Sequence, residues 1–264
     1  MSELKAYLTI DDTPSLQTGA LADYLCAYQI PALLYCRGDR LSQNLSTVVD
    51  AIAKGLVIGN HAYNHRRSST LSFEEVVQEI IDTDCLIDEA YEKAGVNRPG
   101  KYFRFPHMDR GCGGWVVDYD AAPEEHREKL IRLFGDGLNI SMSPPHEAQR
   151  ELKDKLQEWL RTEGFASPFK GVTFPWYAQT EMATAIDAMF TFSTSDWMIT
   201  PRHAGKWPYK TLDDLKRKID EDEDLQNSQS NHIILMHDQD DLLDISAVLL
   251  THFIGKGYNF LEIC

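Results

Sequence analysis

The 264-residue chain has little of what marks an exported scaffold, a membrane span or a nucleic-acid binder. Its five cysteines, Cys26, Cys36, Cys85, Cys112 and Cys264, are an odd number with no C-x-x-C pair. That pattern suits reduced thiols rather than a disulfide framework or a zinc ribbon. Charges or glycines interrupt every apolar stretch before 18 residues, so no membrane-spanning helix is expected. Basic charge is also scarce: 26 Lys and Arg stand against 41 Asp and Glu, a net charge of −15, which disfavours a grip on nucleic-acid phosphates. With Met1 as the start, a strand-like run from Leu4 leaves no room for a basic and then apolar leader, and a cytoplasmic location is expected. Internal repeats and low-complexity segments are absent too.

What is present is an ordinary globular composition, 43% hydrophobic and 25% charged, sufficient for a sizeable core. One domain spanning 1–264 is the simplest division. Apolar alternation at Leu4, Ala6, Leu8 and Ile10 predicts a strand, followed by a helix from about Gly19 to Tyr28. The rhythm repeats with a strand at Ala32 to Tyr35, a helix opened by Ser42, and a strand at Leu56 to Ile58. Ser72 and Glu75 form a capping-box signature for a long helix ending near Gly95. Further strands are predicted at Tyr102 to Phe105, Phe190 to Phe192, His232 to Met236 and Asn259 to Ile263, with a helix over Leu242 to Ile254. Strands alternating with helices imply a parallel α/β sheet, open or closed. Residues 111–180 break the rhythm: helices at Pro123 to Phe134 and Pro144 to Gly164 have no strand between them, and the stretch looks inserted. The acidic run Asp220 to Asp224 reads as a solvated helix end and loop.

Polar residues capable of chemistry fall just past the carboxyl ends of these strands, the edge where α/β folds build their sites. Asp11 and Asp12 follow the first strand, His61 the third, Arg104 ends the run at 102–105, Asp196 follows 190–192, and His237 follows 233–236. His61 and His65 lie four positions apart, so on a helical or helix-like turn both rings can reach one cation. Asp12 on the same rim would complete two imidazoles and a carboxylate, a donor set that leaves a catalytic metal an open position. Adjacent carboxylates can then divide the work, one binding the ion and one accepting a proton from water.

In order, Thr9-Ile10-Asp11-Asp12, His61-Ala-Tyr-Asn-His65, Arg104-Phe-Pro106, Ser193-Thr-Ser-Asp196-Trp197 and Ile234-Leu235-Met-His237-Asp238 resemble the five motifs of the polysaccharide deacetylase family, carbohydrate esterase family 4. The resemblance implies a distorted (β/α) barrel with a mostly helical insert at about 111–180. It also implies one divalent metal, usually zinc, used to remove N-acetyl groups from amino sugars. Cobalt, nickel or iron would suit the same ligands. Carried over, it makes Asp11 the general base, Asp12, His61 and His65 the metal ligands, Arg104 the partner of Asp11, and His237 the general acid oriented by Asp196. Trp197 and Leu235 would wall the acyl pocket, and a backbone N–H beside Pro106 and His107 would face the oxyanion.

This chain departs from the family pattern at Thr13, where a small residue is usual, at His107, where Tyr or Gly is common, and at Ser193, where a further Asp often stands. The 92 residues between Arg104 and Asp196 are also long for the family. The insert they contain is a candidate lid or homo-oligomer contact. The side chains of the remaining histidines, His107, His126, His146, His203, His232 and His252, lack a matched partner at ligand spacing and read as structural or exposed, and Asp238-Gln-Asp240-Asp241 reads as a cap on the following helix. The leading expectation is an N-deacetylase of a small-molecule or oligosaccharide substrate. The alternatives are an amidase, deformylase or cyclic amide or imide hydrolase using the same site, and a carbohydrate-binding protein without turnover.

Overall fold

The computed structural model describes residues 3–135 and 142–263; Cys264 and residues 136–141 of the expected insert lie outside the described residues. Six strands, β1 Leu4–Thr13, β2 Ala32–Cys36, β3 Val57–Asn60, β4 Phe192–Ser193, β5 His232–His237 and β6 Tyr258–Phe260, form one sheet in the order β3-β2-β1-β5-β4. Every pairing is parallel, and β6 runs beside the first residues of β1, with Leu4 opposite Tyr258. The helices are α1 Thr18–Ala27, α2 Gly38–Leu41, α3 Leu45–Ala53, α4 Phe73–Ala94, α5 Glu124–Gly135, α6 Glu147–Thr162, α7 Pro175–Ala178, α8 Leu212–Glu221 and α9 Leu243–Gly255.

Strand alternation sorts side chains onto two faces. Ala6, Leu8, Ile10, Leu34, Ile58, Ile234 and Met236 pack outward against buried residues of α1, α3 and α9 such as Leu25, Val48 and Phe253. Tyr7, Leu33, Tyr35, Ile233 and Leu235 point the other way, into a second cluster with Trp115, Val117, Leu130, Phe134 and Met189. Residues 111–180 therefore supply much of the packing on the inner face. A third cluster joins Leu156 and Leu160 of α6 to Val76 and Ile80 of α4 and to Phe103 and Phe105. Arg110, 1% exposed, ties the insert down through Asp187 (3.0 Å) and Val116 O (3.3 Å).

The sheet curves toward closure through isolated backbone bonds rather than full ladders. Asn60 of β3 bridges Phe103, the Phe103 carbonyl accepts from Ala188 N–H at 2.7 Å, and the chain then reaches Thr191, whose N–H donates to Ile233 O of β5. The architecture is thus the expected α/β fold, with one correction: 102–105 is not a ladder-forming strand but a segment with a single bridge on one side. A second correction concerns Ser42. Its hydroxyl donates to Asp39 O and ends α2, whereas α3 starts after Asn44. The capping box at Ser72 and Glu75 is present, and Gly95, with φ 67°, closes α4 in the left-handed conformation that glycine adopts freely. Cys26, Cys36, Cys85 and Cys112 are free thiols. Among the described residues, no helix is long and apolar enough to cross a membrane.

Candidate active site

The site forms where β1, β2, β3 and β5 end. On a regular strand Asp11 and Asp12 would point to opposite faces. Asp12 instead takes φ 68°, and the β1–β2 register shifts beyond Ile10, so both carboxylates turn toward the same histidines. Arg40 holds this backbone by donating to Asp12 O at 2.6 Å. Asp11 Oδ2 lies 3.7 Å from His61 Nε2, and Asp12 Oδ1 lies 3.2 Å from His65 Nε2.

His61 and His65 sit on a loop rather than a helical turn, because Ala62 and His65 have positive φ of 57° and 56°. Neighbouring elements hold the loop in this shape. Gly38 N–H and Asp39 N–H donate to Ala62 O and Tyr63 O, each at 3.0 Å, and Asn60 Oδ1 accepts from Ala62 N–H. Glu79 of α4 accepts from Asn64 N–H and Arg66 Nε. A Cβ on Gly38 would come within 2.3 Å of the Tyr63 ring, so α2 approaches the loop only because that residue is glycine.

Asp12, His61 and His65 bring one donor atom each to within 4.8 Å of one another. Asp12 Oδ1 is buried and has no hydrogen-bond partner among the described residues, despite its proximity to His65 Nε2. Two donors close together yet unbonded to each other fit a shared cation. His61 Nδ1 must donate to Arg104 O, 2.8 Å away, because a carbonyl only accepts; Nε2 is left with its lone pair toward the group. Burial pushes the His61 imidazole below its ordinary pKa and brings His65 down to about 2, so both rings are neutral, as metal ligands must be. Burial would raise Asp12, but the cationic His237 and the Arg37 guanidinium beside it hold its carboxyl well below the usual carboxylate range.

The second group of residues lies across the same edge. Arg104 is fully buried, and such a charge must be compensated by partners. Its Nη1 donates to Asp11 Oδ1 and Thr9 Oγ1, both at 2.8 Å, its Nε to Ala188 O, and its Nη2 to Met189 O; the guanidinium also covers the Tyr35 ring at 4.5 Å. His237 Nδ1 meets Asp196 Oδ1 at 2.8 Å, while the His237 N–H donates to Asp196 Oδ2 at 2.8 Å. Burial works against a charged His237, but Asp196, followed by Asp12 and Asp11, pushes its pKa up to about 9. His61 and His65 are therefore neutral at pH 7, whereas His237 is a cation.

The remaining sequence candidates occupy the margins. Leu235, two residues before His237 on β5, shares its face and is buried. Pro106 is buried at the start of a short turn over 106–108. His107, with φ 57°, sets its ring 4.3 Å from that of His65, and its N–H donates to no acceptor among the described residues. Trp197 is half-buried and packs edge-on against His203 and Trp207. Thr13, fully buried, donates to Tyr35 O. The acidic stretch after His237 does not cap α9, which begins without a side-chain cap. Asp238 instead accepts from Ser15 and Thr18, and Asp240 from Leu16 N–H, at the entrance to α1.

Sequence reasoning missed Gln239, whose Nε2 donates to Asp12 Oδ2 at 3.1 Å, and Arg37, 3.9 Å from Asp12 Oδ1. Glu79 and Arg40 escaped notice as well. Only the position of Gln239, two residues after His237, could have drawn attention to it.

Fold and site together define an α/β protein with a parallel sheet curving toward closure and an Asp/His/His cluster flanked by an Asp–Arg and an Asp–His pair. Residues 1–111 match the sequence profile of the polysaccharide deacetylase family. Peptidoglycan-N-acetylmuramic acid deacetylase PdaC of Bacillus subtilis is 24% identical over 173 residues, covering 60% of this chain and 36% of that protein. Peptidoglycan-N-acetylglucosamine deacetylase of Bacillus cereus is 28% identical over 112 residues, covering 42% and 47% respectively. The matched segments thus span less than half the length of either curated relative. A family 4 carbohydrate esterase from Streptomyces lividans, solved with acetate, superposes with a TM-score of 0.57 at 18% identity, covering 100% of this chain and 95% of that one. The chain is thus similar to the polysaccharide deacetylase family over residues 1–111, and its likeness to the solved esterase is one of fold.

Proposed function

We propose that the protein is a metal-dependent hydrolase that removes an N-acetyl group from an amino sugar or small oligosaccharide. The observation that carries this reading is the unpartnered, buried Asp12 Oδ1 facing the neutral imidazoles of His61 and His65. A divalent cation held by these three residues, with zinc favoured by the donor set, would polarise the acyl carbonyl and acidify water beside it.

The chain's own residues account for the proton movements. Asp11, oriented by Arg104, accepts a proton from the attacking water as its oxygen bonds to the carbonyl carbon. The His107 N–H is available to the carbonyl oxygen as negative charge develops there. His237, charged and aligned by Asp196, gives the proton on Nε2 to the nitrogen as the C–N bond breaks. Acetate and a free amine leave. Trp197 and Leu235 wall the acyl pocket in this reading.

The test is acetate release from N-acetylglucosamine oligomers by zinc-loaded protein. Asp12→Ala and His65→Ala should reduce release to background together with metal content, and activity surviving both would end the metal-dependent reading. Opening of a cyclic imide with no acetate formed would keep the site and replace the substrate.

A further inference from the structure

We infer that Gln239 is a positioning residue that presents Asp12 to the metal through a single carboxylate oxygen. This rests on the metal reading above and concerns what sets the geometry of its one charged ligand.

Asp12 has two oxygens with different surroundings. Oδ2 accepts from Gln239 Nε2 at 3.1 Å, whereas Oδ1 is buried beside His65 Nε2 without a hydrogen bond. A carboxylate held on one oxygen cannot rotate freely about its Cβ–Cγ bond, so the other stays aimed at the histidines. Arg37 does not compete for this role: its guanidinium is engaged by Asp39 at 3.1 and 2.6 Å and lies 3.9 Å from Oδ1, beyond hydrogen-bond reach. Arg40 holds the Asp12 carbonyl rather than its side chain. A neutral amide is well suited here, since it donates to the carboxylate without adding a charge that would repel or replace a cation.

The backbone that carries the amide is held on both sides. Asp238 N–H donates to Asp11 O at 2.8 Å, the Asp238 carboxylate accepts from Ser15 and Thr18, and Asp240 Oδ1 accepts from Leu16 N–H at 2.9 Å. Gln239 thus lies between two residues pinned to the segment that follows Asp12. It is also two residues beyond His237, so one loop carries the proton donor and the constraint on the metal ligand. His61 has the matching arrangement, with Nδ1 held by Arg104 O. Such outer contacts tune metal affinity by about 10–100-fold.

The experiment compares Gln239→Ala and Gln239→Leu with the wild type, using cobalt as probe. Cobalt affinity is measured by competition with a chromophoric chelator, the visible cobalt spectrum is recorded, and thermal unfolding of the metal-free proteins is followed alongside. The inference predicts affinity weakened by about tenfold or more in both variants. It also predicts cobalt bands altered by a changed carboxylate binding mode, and metal-free unfolding temperatures close to wild type. Wild-type affinity and an unchanged spectrum in either folded variant would overturn it while leaving the metal reading intact. A wild type that binds no cobalt, zinc, nickel or iron would overturn the metal reading and this inference with it.

Discussion

His65 and His237 occupy one site and are the same residue type, yet their surroundings drive them in opposite directions. Burial brings His65 down to about 2 beside a carboxylate whose facing oxygen makes no hydrogen bond to it. His237 is half-buried as well, but Asp196 bonds both its ring and its backbone and takes it up to about 9. Supporting architecture differs as well. The His61–His65 loop is shaped by left-handed residues and clamped from α2 and α4, whereas His237 ends a regular strand. The comparison teaches that a directly bonded carboxylate, more than burial alone, decides whether a histidine here binds a cation or carries a proton.

The strongest way to break this division is to remove the acid alone. His237→Asn should lower kcat for acetate release by about 10²–10⁴-fold while metal content stays at the wild-type level. Loss of metal in that variant, seen by elemental analysis, would show that the two groups are not separable.

A sharper probe keeps His237 and removes its partner's charge. In the wild type His237 holds its proton up to about pH 9 in the metal-free protein, so activity should fall as pH rises past the folded pKa. Asp196→Asn deletes the main influence raising that pKa and leaves burial, which lowers it. The basic limb of the kcat profile should therefore move down by about 1–3 pH units, the range expected for a neighbouring opposite charge. An unmoved limb would assign it to another group.

The smallest expected effect lies on the ligand side. Gly38→Ala places a methyl 2.3 Å from the Tyr63 ring and should cost about 1–3 kcal/mol of stability, as overpacking does. Chemical denaturation measures it, and weaker metal binding should accompany the loss because the loop carrying both histidines shifts. Wild-type stability and affinity together would mean that the loop does not depend on this approach.

Much of this was legible in the sequence because strand ends leave a readable signature. The apolar runs before Asp11, His61 and His237 are real strands, and the polar residue after each run is where side chains converge. The segment at 102–105 misled for a physical reason: its alternation comes from packing Phe103 and Phe105 into the cluster with α4 and α6, not from a ladder. Ser42 misled because a serine can end one helical turn as readily as open the next. Asp238 and Asp240 were read as local caps, but their partners, Ser15, Thr18 and Leu16, lie more than two hundred residues away in sequence, which periodicity cannot reach. Gln239 was invisible for the same reason. The left-handed turn at Asp12, which brings two adjacent acids to one side, leaves no mark in composition or spacing either.

The most direct test of the central claim is a crystal structure of cobalt-loaded protein phased with cobalt anomalous scattering. The account predicts one strong anomalous peak bonded to Asp12 Oδ1, His61 Nε2 and His65 Nε2, with Gln239 on Asp12 Oδ2. A peak elsewhere, or none at these atoms in protein that retains the ion, would contradict it.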